Sequence, residues 1–384
     1  MQQKLTHRLS FWEKDIFVPD FDFAVVGAGI VGLNAALHIK SLHPRAKVAV
    51  LERGSLPIGA STRNAGFACI GSMTELLGDL DQMAEDQLWS LVEKRHKGLK
   101  RMISKLKPEA IHYEHQGGYE LFRPQDQSLF ESCMENITHF NKQMQPITGL
   151  KDTFVLADQE IVRTGFARVN HLILNRAEGQ LHPGRMMKAL LNLCLAEEIS
   201  MFNGFQVVQI EESGQHVQLL SQWGWRVQAD QLIIATNGFT HQFLEELPLK
   251  PARNQVLITE PVPGLSLKGC YHYDAGYYYF RNVGHRILLG GGRNLDPQGE
   301  TTTDFNTTPL IRSSLEKLLA EVILPNQSVK VEQWWSGILG VGPVKSPIVR
   351  KYSDRITLAV RMGGMGVAIG TLVGEEAATL VLKN

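Results

Sequence analysis

The sequence predicts an α/β chain, α+β overall, in which a Rossmann-like dinucleotide-binding domain is interleaved with a second domain built on an antiparallel sheet. Three observations carry this. Residues 23–52 read as strand, glycine turn, helix and second strand in one run. The run Leu232-Ile233-Ile234-Ala235 suits a strand buried on both faces of a parallel sheet. Between Val256 and Gly292 the pattern changes to short aromatic and β-branched strands, as in an antiparallel sheet.

The first run is the most specific. Gly27, Gly29 and Gly32 have the G-x-G-x-x-G spacing, with Ala28, Ile30 and Val31 between them. The first glycine permits a tight turn, the second lets backbone approach a pyrophosphate, and the third lets the helix pack on the strand. Amide groups at the mouth of that helix, with its dipole, favour phosphate. Glu52 ends the next strand, 20 residues beyond Gly32, where a carboxylate accepts hydrogen bonds from a ribose and disfavours a 2′-phosphate, hence NADP. Arg53 follows it.

Further along, Leu88, Val92, Leu99, Met102, Ile103 and Leu106 form one stripe of a long helix ended by Pro108, expected to pack against the dinucleotide-binding domain. Phe130, Met134, Ile137, Asn141 and Met144 repeat at helical spacing, and a loop-rich stretch is expected from Gln145 to about Leu181. Pro183 and Gly184 open a helix with Met187, Leu190, Leu191, Cys194 and Leu195 on one face. Residues 310–323 return to a helix, Ile356–Val360 to a strand, and a small-residue helix runs to Leu382.

Bulk properties exclude several classes. The 384 residues are 43% hydrophobic, enough for a large core. Lys plus Arg and Asp plus Glu are both 39, leaving no basic surplus to hold a nucleic acid. Cys69, Cys133, Cys194 and Cys270 have no zinc spacing and read as buried thiols in a reducing compartment. Residues 1–20 lack the apolar core of a signal peptide, and no later apolar run approaches the roughly 20 residues that span a bilayer, so a cytoplasmic protein is expected. His112 and His115 lack a third ligand, and no metal is expected. The sequence leaves the oligomeric state open.

Three separated blocks carry a family likeness: 23–52 continuing into Gly59-Ala60-Ser61-Thr62-Arg63-Asn64-Ala65-Gly66, then Ala235-Thr236-Asn237-Gly238, then Gly363-Gly364-Met365-Gly366 with Val367. Together they resemble the D-amino-acid oxidase superfamily of FAD-dependent oxidoreductases, which includes glycine oxidase and sarcosine oxidase. Within it, Ser10-Phe11-Trp12, Ser61–Gly66 and Trp335-Ser336-Gly337 most resemble the γ-glutamylputrescine oxidoreductase subgroup, whose substrates are amines. The resemblance implies that these blocks and Val207 bind FAD. Residues 15–107, 181–242 and 332–384 would form the FAD-binding domain, and 108–180 and 243–331 the substrate domain. Ser61 and Thr62 would offer donors to the pyrophosphate, Asn64, Ala65 and Gly66 would let the chain pass the flavin ring, and the glycine-rich entry to the last helix would face the flavin. Some relatives attach flavin covalently to a histidine that would fall at Asn64 or a cysteine near Gly337, so FAD is expected to be non-covalent. Leu339 falls where amino-acid oxidases carry a carboxylate-binding arginine, and Leu288 where sarcosine oxidase carries an oxygen-activating lysine. The acceptor is then O₂, a quinone or another carrier, with O₂ disfavoured.

In the strand Tyr277–Arg281, Tyr278 and Phe280 share one face and Tyr277, Tyr279 and Arg281 the other. The resemblance implies a substrate-facing tyrosine at Tyr278; from their residue types Phe280 beside it and Trp335 are expected as further walls, and Arg281 as either a contact for an acidic substrate tail or a solvated strand arginine. His272 and His285 are candidate bases. The expected reaction is oxidation of a C–N bond in a small amine by hydride transfer to flavin N5, giving an imine that hydrolyses. The alternatives are oxidation of a free amino acid or 2-hydroxy acid, and a flavin-binding module or tRNA-modification component without small-amine turnover.

Overall fold

The computed structural model describes residues 9–383, so part of the N-terminal reading, residues 1–8, lies outside the described residues. The chain forms two compact units: Met1–Thr62, Gly184–Pro251 and Leu339–Asn384, and Arg63–Pro183 with Ala252–Ile338.

The first unit is built on strands in the order Ile348–Lys351, Ile356–Val360, Arg226–Ile234, Phe21–Val26, Val48–Glu52 and Ser200–Asn203. All neighbours pair in parallel except the first two. Two further strands, Val207–Ser213 and His216–Ser221, extend Arg226–Ile234 antiparallel. Ala24, Val25, Leu232 and Ile233 are fully buried, as strands covered on both faces require. The register places Val26 beside Leu51 and Ile234, and Ile234 beside Leu358. The strands therefore end level, and their carboxyl-end loops share one rim.

Two glycines make this packing possible. Gly27 has φ +108°, and a Cβ there would lie 2.8 Å from the Ala235 carbonyl oxygen. A Cβ on Gly32 would lie 2.0 Å from the carbonyl oxygen of Gly27, so the helix Ile30–Leu42 can sit on its strand only without one. The last helix, Gly366–Val381, packs along that first helix through Gly370 against Ile30 and Gly374 against the Val31 carbonyl.

The second unit is an eight-stranded sheet in the order Val331–Val341, Lys250–Thr259, Arg286–Gly291, Tyr278–Val283, Cys270–Tyr273, Gly118–Phe122, His171–Asn175 and Phe154–Leu156. Cys270–Tyr273 pairs with Gly118–Phe122 in parallel, so the sheet is not wholly antiparallel. The stretch from 145 to 181 holds two of these strands and the helix Gln159–Thr164 rather than loop alone. Their shortness hides them from any periodicity test. The long helix Glu85–Leu106 belongs to this second unit, as do all of residues 63–107 and 332–338, which the family likeness placed with the nucleotide. One face of the sheet packs a core of Tyr119, Tyr271, Tyr278, Phe280, Ile311 and Leu315. Tyr271 stacks on Tyr119 at 4.9 Å and on Phe280 at 5.0 Å.

All four cysteines are buried free thiols. Among the described residues no helix is long and apolar enough to cross a membrane.

Two stability outcomes follow. Gly32→Ala is expected to cost on the order of 3 kcal/mol or to prevent folding, whereas Gly59→Ala, where a Cβ meets nothing within 4 Å, is expected to change the urea midpoint little. His96 is buried in the helix Glu85–Leu106, and burial, with Lys100 adding, lowers its pKa to about 4 from 6.5. The folded state resists this proton, so the stability it confers is complete above pH 6.5 and is lost as pH falls toward 4. Urea unfolding of His96→Phe across that window is expected to show roughly 2 kcal/mol less acid-side loss than the wild type.

Candidate functional site

In the first unit, the loops at the carboxyl ends of the parallel strands form a cradle of backbone. Glu52 is buried and its carboxylate organises two of them: Ala28 N donates to Oε2 at 3.2 Å and Gly54 N to Oε1 at 3.0 Å. Each oxygen keeps a second lone pair, so Glu52 still has the acceptor capacity that a ribose requires. Ser61 Oγ accepts from Ile30 N at 3.0 Å and so sits at the mouth of the first helix, beside Gly29. Within 4 Å, the Gly29 Cβ position meets only that side chain. Thr62 differs from expectation: its hydroxyl donates to Pro57 O at 2.6 Å and Gly59 O at 3.2 Å, closing its own turn instead of serving a pyrophosphate. Ala60 begins the short turn Ala60–Arg63. The Arg53 guanidinium lies 3.6 Å over the Phe239 ring. Val207 is buried at the start of its strand.

Asn237 joins the remaining two loops. It holds φ +47°, and its Oδ1 accepts from Arg361 N at 3.1 Å and Met362 N at 3.2 Å. Thr236 Oγ1 pairs with Thr240 Oγ1 at 2.8 Å, and Gly238 is buried at the start of a short 3₁₀ turn. The latch sets the course of Gly363 and Gly364, both at positive φ, into Met365, Gly366 and Val367 at the start of the last helix. The first turn of any α-helix presents amides without intrahelical partners. Leu339 is the side chain nearest the Gly364 Cβ position, at 4.0 Å.

In the second unit, Asn64, Ala65 and Gly66 form a bend in which Gly66 N donates to Asn64 Oδ1 at 2.8 Å. Gly66 has φ +75°, and a Cβ would lie 2.2 Å from the Leu181 carbonyl oxygen. Ala65 packs with Val256, Leu288, Phe67, Tyr279, Val283 and Trp335. Trp335 Nε1 donates to Arg63 O at 3.0 Å. Tyr279 lies across Gly290, where a Cβ would come within 2.6 Å of the ring. Burial drives its phenol well above the ordinary tyrosine range, against smaller opposing effects of Arg293 and a hydrogen bond with Asn254.

The strand residues expected to face a substrate are buried in a core. Tyr278 and Phe280 are buried in the opposite core, Phe280 completely, and the Tyr278 hydroxyl pairs with Ser314 Oγ at 3.0 Å. Tyr279 shares the side of Ala65 and Trp335. Arg281 is on that side too, but buried: Nε donates to Ala65 O and Nη2 to Leu181 O at 3.0 Å. It fastens the bend and has no role in reaching a substrate tail. His285 is exposed in a hairpin turn. Burial opposes charge on His272, but the neighbouring Glu178 carboxylate, with Glu75 and Cys270, outweighs it and raises its pKa to about 9. Residues that sequence reasoning passed over are Phe67, Asn254 and Tyr279. Tyr279 lies on the strand face with Ala65 and Trp335, opposite to Tyr278 and Phe280.

Two substitutions test these assignments. Tyr278→Phe is expected to cost about 1 kcal/mol in chemical unfolding and to leave turnover unchanged, as the loss of a core hydrogen bond does. Glu52→Ala is expected to weaken dinucleotide retention at least about tenfold, read by dialysis and absorbance, since it releases two loop amides.

The chain is 21% identical over 381 residues to the "Probable oxidoreductase OrdL" of Haemophilus influenzae, covering 94% of this chain and 83% of that protein. It is 24% identical over 385 residues to the "Gamma-glutamylputrescine oxidoreductase" of Escherichia coli, with the same coverage. Among solved structures, glycine oxidase from Geobacillus kaustophilus shares the fold, with a TM-score of 0.76 at 17% identity and 94% of each chain covered. Residues 22–380 match the family described as FAD dependent oxidoreductase (DAO), and the chain, with its glycine cradle, Glu52 and Asn237 latch, belongs to that family of FAD-dependent enzymes.

Proposed function

We propose that this enzyme oxidises the C–N bond of a small amine, with FAD held non-covalently by the 27–32, 52–53, 60–66, 235–238 and 363–367 segments. The observation that carries the reading is the apolar, aromatic character of the face beside Ala65, where Tyr279, Trp335, Phe67 and Leu288 pack. By the family likeness, Leu339 replaces a carboxylate clamp and Leu288 an oxygen-activating lysine. The 24% identity to a protein named for γ-glutamylputrescine supports an amine over a free amino acid.

FAD, when bound, supplies the hydride acceptor. The protein's task is to orient the amine's C–H bond and keep the nitrogen unprotonated. An aromatic, desolvated face lowers an amine's pKa and favours the neutral form that gives up hydride. The Tyr279 phenol, kept protonated by burial, positions the amine nitrogen without taking its proton. The resulting imine is hydrolysed by water. No strong base is required.

The test is turnover of amines, γ-glutamyl amines, N-methyl amino acids, free amino acids and 2-hydroxy acids with a dye acceptor and, separately, with O₂. Amines are expected to lead the panel and the dye to outpace O₂; turnover confined to free amino acids or hydroxy acids would overturn the reading. Tyr279→Phe is expected to lower kcat/KM for the best amine on the order of tenfold while retaining FAD.

A further inference from the structure

Behind the Ala65–Gly66 bend, the fold gathers three donors that are far apart in sequence. Cys69 Sγ, one carboxylate oxygen of Glu178 and one ring nitrogen of His272 all lie within 4.8 Å of one another, and all three residues are buried. From this we propose a closed divalent-metal site of the zinc class, formed by Cys69, Glu178 and His272.

The donor set suits such an ion. Thiolate, imidazole and carboxylate are the ligands of borderline-soft zinc, whereas magnesium and calcium take oxygen donors. Glu178 is held for the purpose: its Oε1 accepts from Ile70 N at 2.7 Å and Gly71 N at 2.9 Å, which fixes the carboxylate. Gly118 leaves room for Oε2, because a Cβ there would lie 2.0 Å from it. Glu178 Oε2 and His272 Nε2, both at least nine-tenths buried, have no hydrogen-bond partner among the described residues. They face each other at 3.8 Å. That is too far for a hydrogen bond, yet within a few tenths of an ångström of the roughly 3.3–3.5 Å that separates oxygen and nitrogen ligands on a tetrahedral zinc. Cys270, on the same strand two residues before His272, turns its Sγ toward Gly179 O at 3.2 Å, and a rotation of that side chain would offer a fourth ligand.

With Cys69 and Glu178 as anionic ligands and His272 neutral, a divalent ion leaves the three-ligand site uncharged; Cys270, joining as a thiolate, releases one further proton to solvent and adds one negative charge. Burial of every donor makes the site structural rather than catalytic. It would tie the segment after the Ala65–Gly66 bend to the turn at Glu178 and to the strand Cys270–Tyr273. The rival arrangement is a metal-free imidazolium–carboxylate pair beside two thiols.

The test is elemental analysis of the FAD-loaded full chain, purified without chelator from zinc-supplemented cells and then dialysed against metal-free buffer. The site is expected to hold about one zinc per chain. Cys69→Ala and His272→Ala should lose that metal while a surface control, His112→Ala, retains it, and a zinc chelator should lower the Tm of the wild type but not of those variants. Wild-type protein with less than about a tenth of an equivalent, and a Tm unmoved by added zinc or chelator, would establish the metal-free pair and overturn the proposal. Wild-type content alone decides this if the variants fail to fold. The outcome is independent of which substrate the enzyme oxidises.

Discussion

The closeness of Gly27 to the Ala235 carbonyl is the contact on which the nucleotide-binding unit depends. Four loops from distant parts of the chain must converge at the carboxyl ends of one parallel sheet. Gly27 lets the first approach the third, Glu52 ties the first to the second through two backbone amides, and Asn237 ties the third to the fourth. Glu52 is buried and Asn237 partly buried, and each polar side chain is satisfied by backbone amides, costly to lose and short in reach. The result is a rim of amides and glycines with few side chains, which is what a large, flat, anionic cofactor requires.

The second unit applies the same logic to a sheet face. Two adjacent residues of one strand, Tyr278 and Tyr279, have opposite fates because side chains alternate across a strand. Tyr278 joins the aromatic core with Tyr271 and Phe280. Tyr279 lies over Gly290 on the side of Ala65 and Trp335. Arg281 shares that side yet spends its donors on carbonyls of the Ala65–Gly66 bend and Leu181, so a buried guanidinium fixes backbone where a substrate contact was expected.

Much of this was legible in sequence. The glycine spacing, the acid at 52, the Ala235–Gly238 and Gly363–Gly366 loops and the parallel core strand are local patterns with strict steric causes. What escaped depended on tertiary placement. A run of five aromatic and basic residues, 277–281, alternates correctly under either choice of face, and only the position of Ala65 decides between them. The Thr62 hydroxyl looked available until its own turn claimed it. The Cys69, Glu178 and His272 cluster has no sequence spacing at all, because three separate strands and turns deliver its members.

The most direct measurement is an anaerobic titration of the purified protein with small amines, followed in the flavin absorption bands, with the cofactor then released by acid and identified. The account predicts oxidised FAD that bleaches stoichiometrically with an amine and separates from the denatured chain. Flavin that stays oxidised with every amine but bleaches with a free amino acid or hydroxy acid would contradict the amine assignment. A folded chain that takes up no FAD would contradict the cradle itself.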